Sequence, residues 1–121
     1  MVRQSYERLK IWQKAIELTD FVYEVTRKFP KEELFGLQSQ SRRASVSVPS
    51  NIAEGSQRES EKDFAHFLTI AKGSLAELHT QLIIANRRNY LLPAQFDEFC
   101  ARIRELQKML YSFHHSLIAK N

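Results

Sequence analysis

Four histidines, one cysteine and several carboxylates are the side chains of this sequence that could take part in chemistry. Helical proteins can hold a di-metal site when two Glu-x-x-His pairs and two further carboxylates point inward. Asp63 and His66 have a spacing close to this pattern, and no second pair of this kind occurs. His114 and His115 are adjacent, so on a helix they point apart and cannot act as an i, i+4 metal pair. The sequence therefore predicts no metal site, and we interpret His66 as a surface or interface residue.

Motifs for nucleophilic catalysis are missing as well, since the sequence has neither a Gly-x-Ser-x-Gly elbow nor a glycine-rich phosphate loop. Cys100 follows Phe99 on a predicted helix, and we interpret it as a partly buried thiol. Asn51 and Glu54 lie about one turn apart next to Pro49 and are open to two interpretations, a structural polar network or a functional site. Nothing nearby supplies a nucleophile or a metal, so we predict that the protein is not an enzyme and needs no cofactor.

Four segments with helical spacing of apolar residues must position these side chains. The predicted helices span roughly residues 7–29, 34–55, 61–88 and 94–119. No segment alternates apolar and polar residues for long enough to predict a strand, and three glycines and three prolines are few. These observations predict an all-α fold, an up-down-up-down antiparallel four-helix bundle that forms a single domain over residues 1–121.

One face of each predicted helix is apolar and should form the core. The stripe of the third helix contains Phe64 and either Phe67 or Leu68. In the fourth helix the apolar residues follow at alternating steps of three and four, the heptad spacing of helices that pack at about 20°. Ser60, with Asp63 three residues later, should cap the start of the third helix.

The second helix is unusual because serines and alanines take most positions of its inner face. Pro49 lies inside the helical pattern, where it removes one backbone hydrogen bond and clashes with the preceding turn, so we predict a kink there. Small residues allow another helix to approach closely. Two interpretations stay open, tight packing within the chain and contact with a second subunit.

Basic residues are in slight excess, with a net charge of +4 for the whole chain. In an up-down bundle, residues 27–43 and 87–104 meet at one end, which holds nine basic and four acidic residues. The remaining residues include nine basic and ten acidic ones, so the whole positive excess falls at that end. We take its basic residues as candidate nucleic-acid-binding residues. They are Arg27, Lys28, Lys31, Arg42, Arg43, Arg87, Arg88, Arg102 and Arg104.

Part of this charge has a purely structural explanation, because cations at the ends of the first and third helices complement the helix dipole. Arg42 and Arg43 are expected near the start of the second helix, where the dipole disfavours a cation. A phosphate group could account for them, and so could a carboxylate of the same chain or of a neighbouring subunit. An ordinary solvated surface with a small cationic excess is the alternative for the whole set.

A cytoplasmic location is expected. The one cysteine cannot form an internal disulfide, which favours a reducing, intracellular setting. Residues 1–8 are polar and charged and do not resemble a signal peptide. Uninterrupted apolar runs are far shorter than the roughly 20 residues that a membrane span needs, so no membrane association is predicted.

A series of short motifs runs through the chain in order, over residues 9–15, 29–37, 39–44, 48–55, 67–74 and 77–78. Asn-Ile-Ala-Glu-Gly, followed downstream by Gly-Ser, is a specific combination among them. Its residues, with the preceding proline, are Pro49, Asn51, Glu54, Gly55, Gly73 and Ser74. Together these motifs resemble those of the four-helix bundle proteins of the 23S rRNA intervening-sequence family, over nearly the whole chain and without a large insertion.

The resemblance implies a fold, an assembly and a general role. Family members are small bacterial proteins, some of them encoded by insertions within 23S rRNA genes, and no catalytic activity is attached to the family. Some members form homopentamers with a basic outer surface. They are similar to the accessory protein of diversity-generating retroelements, which binds nucleic acid and a reverse transcriptase. The motif residues named above would then be structural.

We therefore predict a non-enzymatic, nucleic-acid-associated accessory protein that binds the phosphate backbone of RNA or DNA through a basic surface of a homo-oligomer, a pentamer by the resemblance. Little base recognition is expected, because no aromatic platform is interleaved with the basic residues. The alternative is a protein-protein interaction scaffold, for example a reverse transcriptase accessory subunit, with no direct nucleic-acid role. A salt titration separates the two, because phosphate contacts weaken steeply with salt.

Overall fold

The computed structural model describes residues 5–119, so the first four residues of the polar N-terminal stretch and the last two residues lie outside it. Its helices are α1 (Lys10–Thr26), α2 (Leu37–Ser56), α3 (Glu61–Arg87) and α4 (Pro93–Ala119). Short 3₁₀ turns at Tyr6–Arg8 and Lys31–Glu33 precede α1 and α2. Residues 5–119 contain no strand. The prediction of an all-helical fold with four helices is confirmed.

Local sequence signals set both ends of α3. The Ser60 hydroxyl accepts a hydrogen bond from the backbone N–H of Asp63 at 3.0 Å, which confirms the predicted cap. After Arg87, Asn89 takes a left-handed conformation with φ of 64°, and asparagine tolerates this region better than most residues. Pro93 then stands at the first position of α4, where its missing N–H costs nothing.

α2 begins later than its apolar pattern predicts. Residues 34–36 form a turn instead, after the 3₁₀ turn of residues 31–33, and the Glu33 carboxylate accepts a hydrogen bond from the backbone N–H of Leu37 at 3.0 Å. This carboxylate satisfies one of the free donors at the helix start, as a capping side chain does. The first turn of α2 is therefore already occupied by an acidic group of the chain itself.

Helices that follow one another in the chain pack side by side, and α4 also packs against α1. Lys14 of α1 lies 3.5 Å from Glu105 of α4, and Glu17 lies 3.7 Å from Arg102, so the paired positions run in opposite directions. Such contacts are consistent with a bundle of antiparallel neighbours. The complete up-down-up-down order stays a prediction.

All four helices contribute apolar side chains to one core. Leu68, rather than Phe67, is the buried member of the α3 stripe at that level. α2 contributes few large residues, and Ser41, Ala44 and Ser45 are buried in their place, which confirms its small-residue inner face. The largest fully buried side chains are Phe99, Leu18, Ile52, Leu68, Leu75, Leu78, Leu82, Ile103, Leu106, Leu110, Val22 and Val48.

Pro49 lies within α2, and the helix continues through it without interruption. The predicted kink of the helix axis at this residue stays a prediction. Among the described residues, every helix is too short or too polar to cross a lipid bilayer.

Candidate nucleic-acid interface

The two connections at one end of the bundle are joined by side-chain contacts. The Tyr90 hydroxyl donates a hydrogen bond to Glu33 at 3.1 Å, and the rings of Phe29 and Tyr90 lie 5.4 Å apart. Burial raises the pKa of the Tyr90 phenol, and its hydrogen bond to Glu33 raises it further, so the group stays protonated and keeps donating. We call this end, residues 27–36 and 87–92, the tip.

The tip carries five of the nine predicted cations, and all five are exposed. Arg27 lies 3.3 Å from Glu24 in an exposed ion pair of the same helix turn. The other four make no ion pair with any residue between 5 and 119. They are Lys28, Lys31, Arg87 and Arg88. Cations without a carboxylate partner at one end of a bundle are available to an anion from outside.

The two arginines of this group line a surface hollow. Ile84, Arg87 and Arg88 border a space of about 340 Å³ at the end of α3. Ile84 offers an apolar side chain there, and two guanidinium groups flank it. Guanidinium groups suit phosphate because their planar donors can form two parallel hydrogen bonds.

Arg42 and Arg43 do not lie at the tip. Both belong to the second turn of α2, beyond the reach of most of the dipole effect that was expected to disfavour them. Arg42 is explained within the chain, because its guanidinium donates to the Thr26 hydroxyl at 3.0 Å and to the Tyr23 carbonyl at 3.3 Å. It also lies 4.6 Å from the Tyr23 ring centre, in a cation–π contact.

Arg43 has a different environment. With Glu77 and Gln81 it lines a polar pocket between α2 and α3, which has a volume of about 370 Å³. The side-chain oxygen of Gln81 is buried and lacks a hydrogen-bond partner among the described residues. Arg43 is exposed and remains a possible anion contact on the side of the bundle, away from the tip.

Arg102 and Arg104 were expected at the same end as the others, and the structure separates them from it. Arg102 lies nine residues into α4, about 14 Å along its axis. Its guanidinium pairs with Glu98 at 2.9 Å and with Glu17 at 3.7 Å, so its charge is already balanced. Arg104 lies still further from the tip and is exposed. The prediction that residues 87–104 all lie at the basic end was therefore wrong for Arg102 and Arg104.

The tip also exposes apolar side chains, which sequence reasoning missed. Phe35 is 89% exposed, Leu92 is 66% exposed and Leu34 is 49% exposed. No aromatic platform among the cations is predicted from the sequence, and the structure places the exposed ring of Phe35 at the same end as Lys31 and Arg88. The only sequence signal was the position of this phenylalanine between an acidic pair and a glycine.

The motif residues lie elsewhere, along the contact of α2 with α3. The Asn51 side chain donates to the Ser47 carbonyl at 2.8 Å and to the Ser47 hydroxyl at 3.0 Å. The Ser47 hydroxyl in turn lies 2.8 Å from that of Ser74. A Cβ atom added to Gly55 would lie 2.7 Å from Phe67, so this glycine permits close contact of the two helices. We call Ser47, Asn51, Gly55 and Ser74 the motif seam.

Glu54 and Gly73, two further motif residues, lie outside this seam. Glu54 forms an exposed ion pair with Arg58 at 3.6 Å and does not join Asn51 in a shared network. A Cβ atom added to Gly73 would have no neighbour within 4 Å. Gly55 therefore serves packing inside the chain, whereas Gly73 faces open space.

The sequence matches the family described as 23S rRNA-intervening sequence protein over residues 7–112. The chain belongs to this family. No curated protein matches it at a significant level.

One similar solved structure supports the fold of this family member. It is the crystal structure of a protein with unknown function from the S23 ribosomal protein family of Bacteroides thetaiotaomicron. The two proteins share 24% sequence identity and a TM-score of 0.79, over 86% of this chain and 97% of the other. Neither match indicates an enzyme family.

The residues of this chain that could take part in chemistry are dispersed. Asp63 and His66 are exposed near the start of α3, and Cys100 is half-buried against the core. His114 lies 3.3 Å from the Thr69 hydroxyl, and burial lowers its pKa, helped by the nearby positive charge of Lys72. Residues 5–119 contain no group of three or more His, Cys, Asp or Glu side chains that could hold a metal ion.

Proposed function

We propose that this protein is a non-enzymatic accessory protein that binds nucleic acid, RNA linked to 23S rRNA in particular, through the phosphate backbone. The observation that carries the proposal is the group of four cations at the tip without carboxylate partners. The family description points to the rRNA gene as context. The cytoplasm is the compartment in which this function would operate.

The predicted binding is electrostatic and therefore salt-dependent. Each phosphate that a protein neutralises releases counterions, and the slope of log K against log salt is about −0.7 per phosphate for single strands and −0.9 for duplexes. Four tip cations would give a slope of about −3 to −4 for one chain. Protein interfaces with mixed charges would give a shallower slope.

Charge reversal at the tip tests the proposal. Arg87→Glu combined with Arg88→Glu should weaken binding of a structured rRNA fragment by about tenfold or more at low salt, and flatten the salt slope by about 1.5 to 2. The matched control is Lys62→Glu with Lys108→Glu, which changes the net charge equally away from the tip. Fluorescence anisotropy measures the affinity and the salt slope of both double variants. Equal losses for the two pairs would contradict a specific role of the tip.

We further propose that the protein is a homo-oligomer, with a pentamer as the number implied by the resemblance. Gly73 faces open space, and Val46 and Ile70 are exposed on either side of the Ser47–Ser74 contact. A second copy packed on this face would give the helical glycine a packing role. Repeated tips in one particle would strengthen weak phosphate contacts through multivalency. Analytical ultracentrifugation measures the subunit number, and a monomer at micromolar concentration would contradict this proposal.

A protein-interaction scaffold is the second candidate, and one groove favours it. Leu9, Met109 and Phe113 form part of an apolar groove of about 560 Å³ between the start of α1 and the second half of α4. Arg8 and Lys108 border the same groove, and its lining contains no acidic residue. The occupant that fits is an amphipathic helix with acidic flanks, such as one carried by a reverse transcriptase. Met109→Lys should abolish such binding while leaving RNA affinity unchanged.

A further inference from the structure

Phe35 is the most exposed large hydrophobic residue between residues 5 and 119, at 89%. Its surroundings are well anchored. The backbone N–H of Gly36 donates to the Glu33 carbonyl at 3.0 Å, and the Glu33 carboxylate accepts from both Leu37 and Tyr90. The ring thus projects into solvent from a hydrogen-bonded backbone segment, and it takes no part in the hydrophobic core.

Other exposed aromatic side chains have partners within the chain. Tyr111 is 63% exposed, but it lies 5.8 Å from the Lys72 ammonium and stacks with His115 at 6.3 Å. Phe35 has no ring or cation partner among the described residues. Both faces of its ring are therefore free.

The position of Phe35 relative to the cations follows from the Glu33–Tyr90 contact. Phe35 lies two residues after Glu33, and Arg88 lies two residues before Tyr90. Two residues span at most about 7 Å of chain. The backbone of Phe35 therefore lies within about 7 Å of Glu33, and that of Arg88 within about 7 Å of Tyr90, and these two side chains are joined by the 3.1 Å hydrogen bond. A nucleic-acid strand that extends over both connections of the tip can touch both groups.

We propose that Phe35 stacks on an unpaired nucleotide base while Lys31, Arg87 and Arg88 contact the flanking phosphates, so that the tip prefers single-stranded or looped RNA to a continuous duplex. An aromatic face next to cations is the arrangement that binds single strands, because every base presents a π-face and every linker a phosphate. In duplex RNA the bases are stacked on one another and do not expose their faces to such a ring. This inference rests on the proposed function.

The charge at the tip favours a nucleic acid over an apolar partner. The tip holds four cations without ion-pair partners together with one exposed ring and two exposed leucines, and the hollow beside Arg87 and Arg88 suits a phosphate with its sugar better than a hydrophobic helix. Insertion into a lipid surface would require a broader apolar face or a second anchor. An anionic membrane is nevertheless the competing source of phosphate, and the experiment includes it.

The test compares an unstructured oligouridylate with a fully paired RNA duplex that has the same number of phosphates. Phe35→Ala should weaken oligouridylate binding by roughly 5- to 150-fold, the loss of one stacked base, and leave duplex binding and the salt slope unchanged. Phe35→Trp should retain the affinity, and its indole fluorescence should be quenched by oligouridylate but not by the duplex. Tyr111→Ala is the matched control and should have no effect.

The outcomes separate this inference from the proposed function. Wild-type protein that binds neither RNA at low salt contradicts the proposed function itself. Wild-type protein that binds both RNAs, with Phe35→Ala unchanged or equally weakened for both, contradicts only the stacking role. Loss of binding to phosphatidylglycerol vesicles in Phe35→Ala, without a change in oligouridylate affinity, would also overturn the inference and assign the ring to a membrane.

Discussion

At the motif seam, polar side chains satisfy one another, whereas four cations of the tip have no ion-pair partner among the described residues. Asn51 donates to Ser47, and Ser47 pairs with Ser74 across two helices. At the tip, by contrast, Arg87 and Arg88 have no carboxylate partner among the described residues. The motif residues of the seam thus hold α2 and α3 together, while the cations that are available to a ligand lie at the tip.

The largest effect is expected from the packing of the motif seam. Gly55→Ala would place a Cβ atom 2.7 Å from Phe67 and 2.9 Å from Phe64, so a helix must shift. We expect the free energy of unfolding to fall by about 1–3 kcal/mol, because overpacking costs more than the gain in helix propensity. Urea denaturation measures this. RNA affinity should not change in the folded variant, and a loss of affinity would contradict the separation of seam and tip.

A smaller effect is expected from the hydrogen bonds of the seam. Ser47→Ala removes the contact with Ser74 and one of the two bonds from Asn51. The free energy of unfolding should fall by about 1 kcal/mol. A double-mutant cycle with Ser74→Ala measures the interaction energy between the two side chains. Additive effects of the two substitutions would contradict a direct Ser47–Ser74 bond.

Substitution of Gly73, the second glycine of the motif, is expected to change the free energy of unfolding in the opposite direction. Gly73→Ala adds a methyl group into open space within α3, so the free energy of unfolding of a single chain should rise by about 0.5–1 kcal/mol. Thermal unfolding and sedimentation are measured together. In the proposed oligomer the same methyl group should weaken the assembly, because a second copy packs on this face. An unchanged sedimentation coefficient would contradict that packing.

The smallest effect concerns pH and lies away from both regions. Burial, together with the positive charge of Lys72, lowers the pKa of His114 below its usual 6.5, so the folded state favours the neutral ring. The stabilisation that comes from keeping the His114 ring neutral is fully present above about pH 6.5. It is lost as the pH falls through the lowered pKa of His114 in the folded state. His114→Gln should make the free energy of unfolding less dependent on pH in that window. An unchanged dependence would place the effect on another group.

The sequence predicted the helices well because their apolar spacing is regular, and it failed where tertiary contacts decide. α2 starts at Leu37 because Glu33 turns back to cap it. The sequence left Phe67 and Leu68 as alternatives for one core position of α3, and the structure buries Leu68, while Phe67 lies against Gly55. Such shifts of one or a few residues do not change the pattern that predicts the helix.

The candidate site was predictable only in part for the same reason. The cations of the two connections could be assigned to one end from topology alone. The partners of Arg42 and Arg102 could not, since Tyr23, Thr26 and Glu17 belong to another helix whose rotation the sequence does not specify. The exposure of Phe35 was equally hidden, because an apolar residue in a short connection is usually expected to pack.

The central claim is that the tip binds RNA through its unpaired cations, and a salt titration tests it most directly. Fluorescence anisotropy of a labelled structured rRNA fragment is measured against the wild-type protein from low to moderate salt, with duplex DNA as the control. We predict binding at low salt, a log–log slope of about −3 or steeper, and preference for the RNA. No binding at low salt, or an affinity that does not change with salt, would contradict the claim.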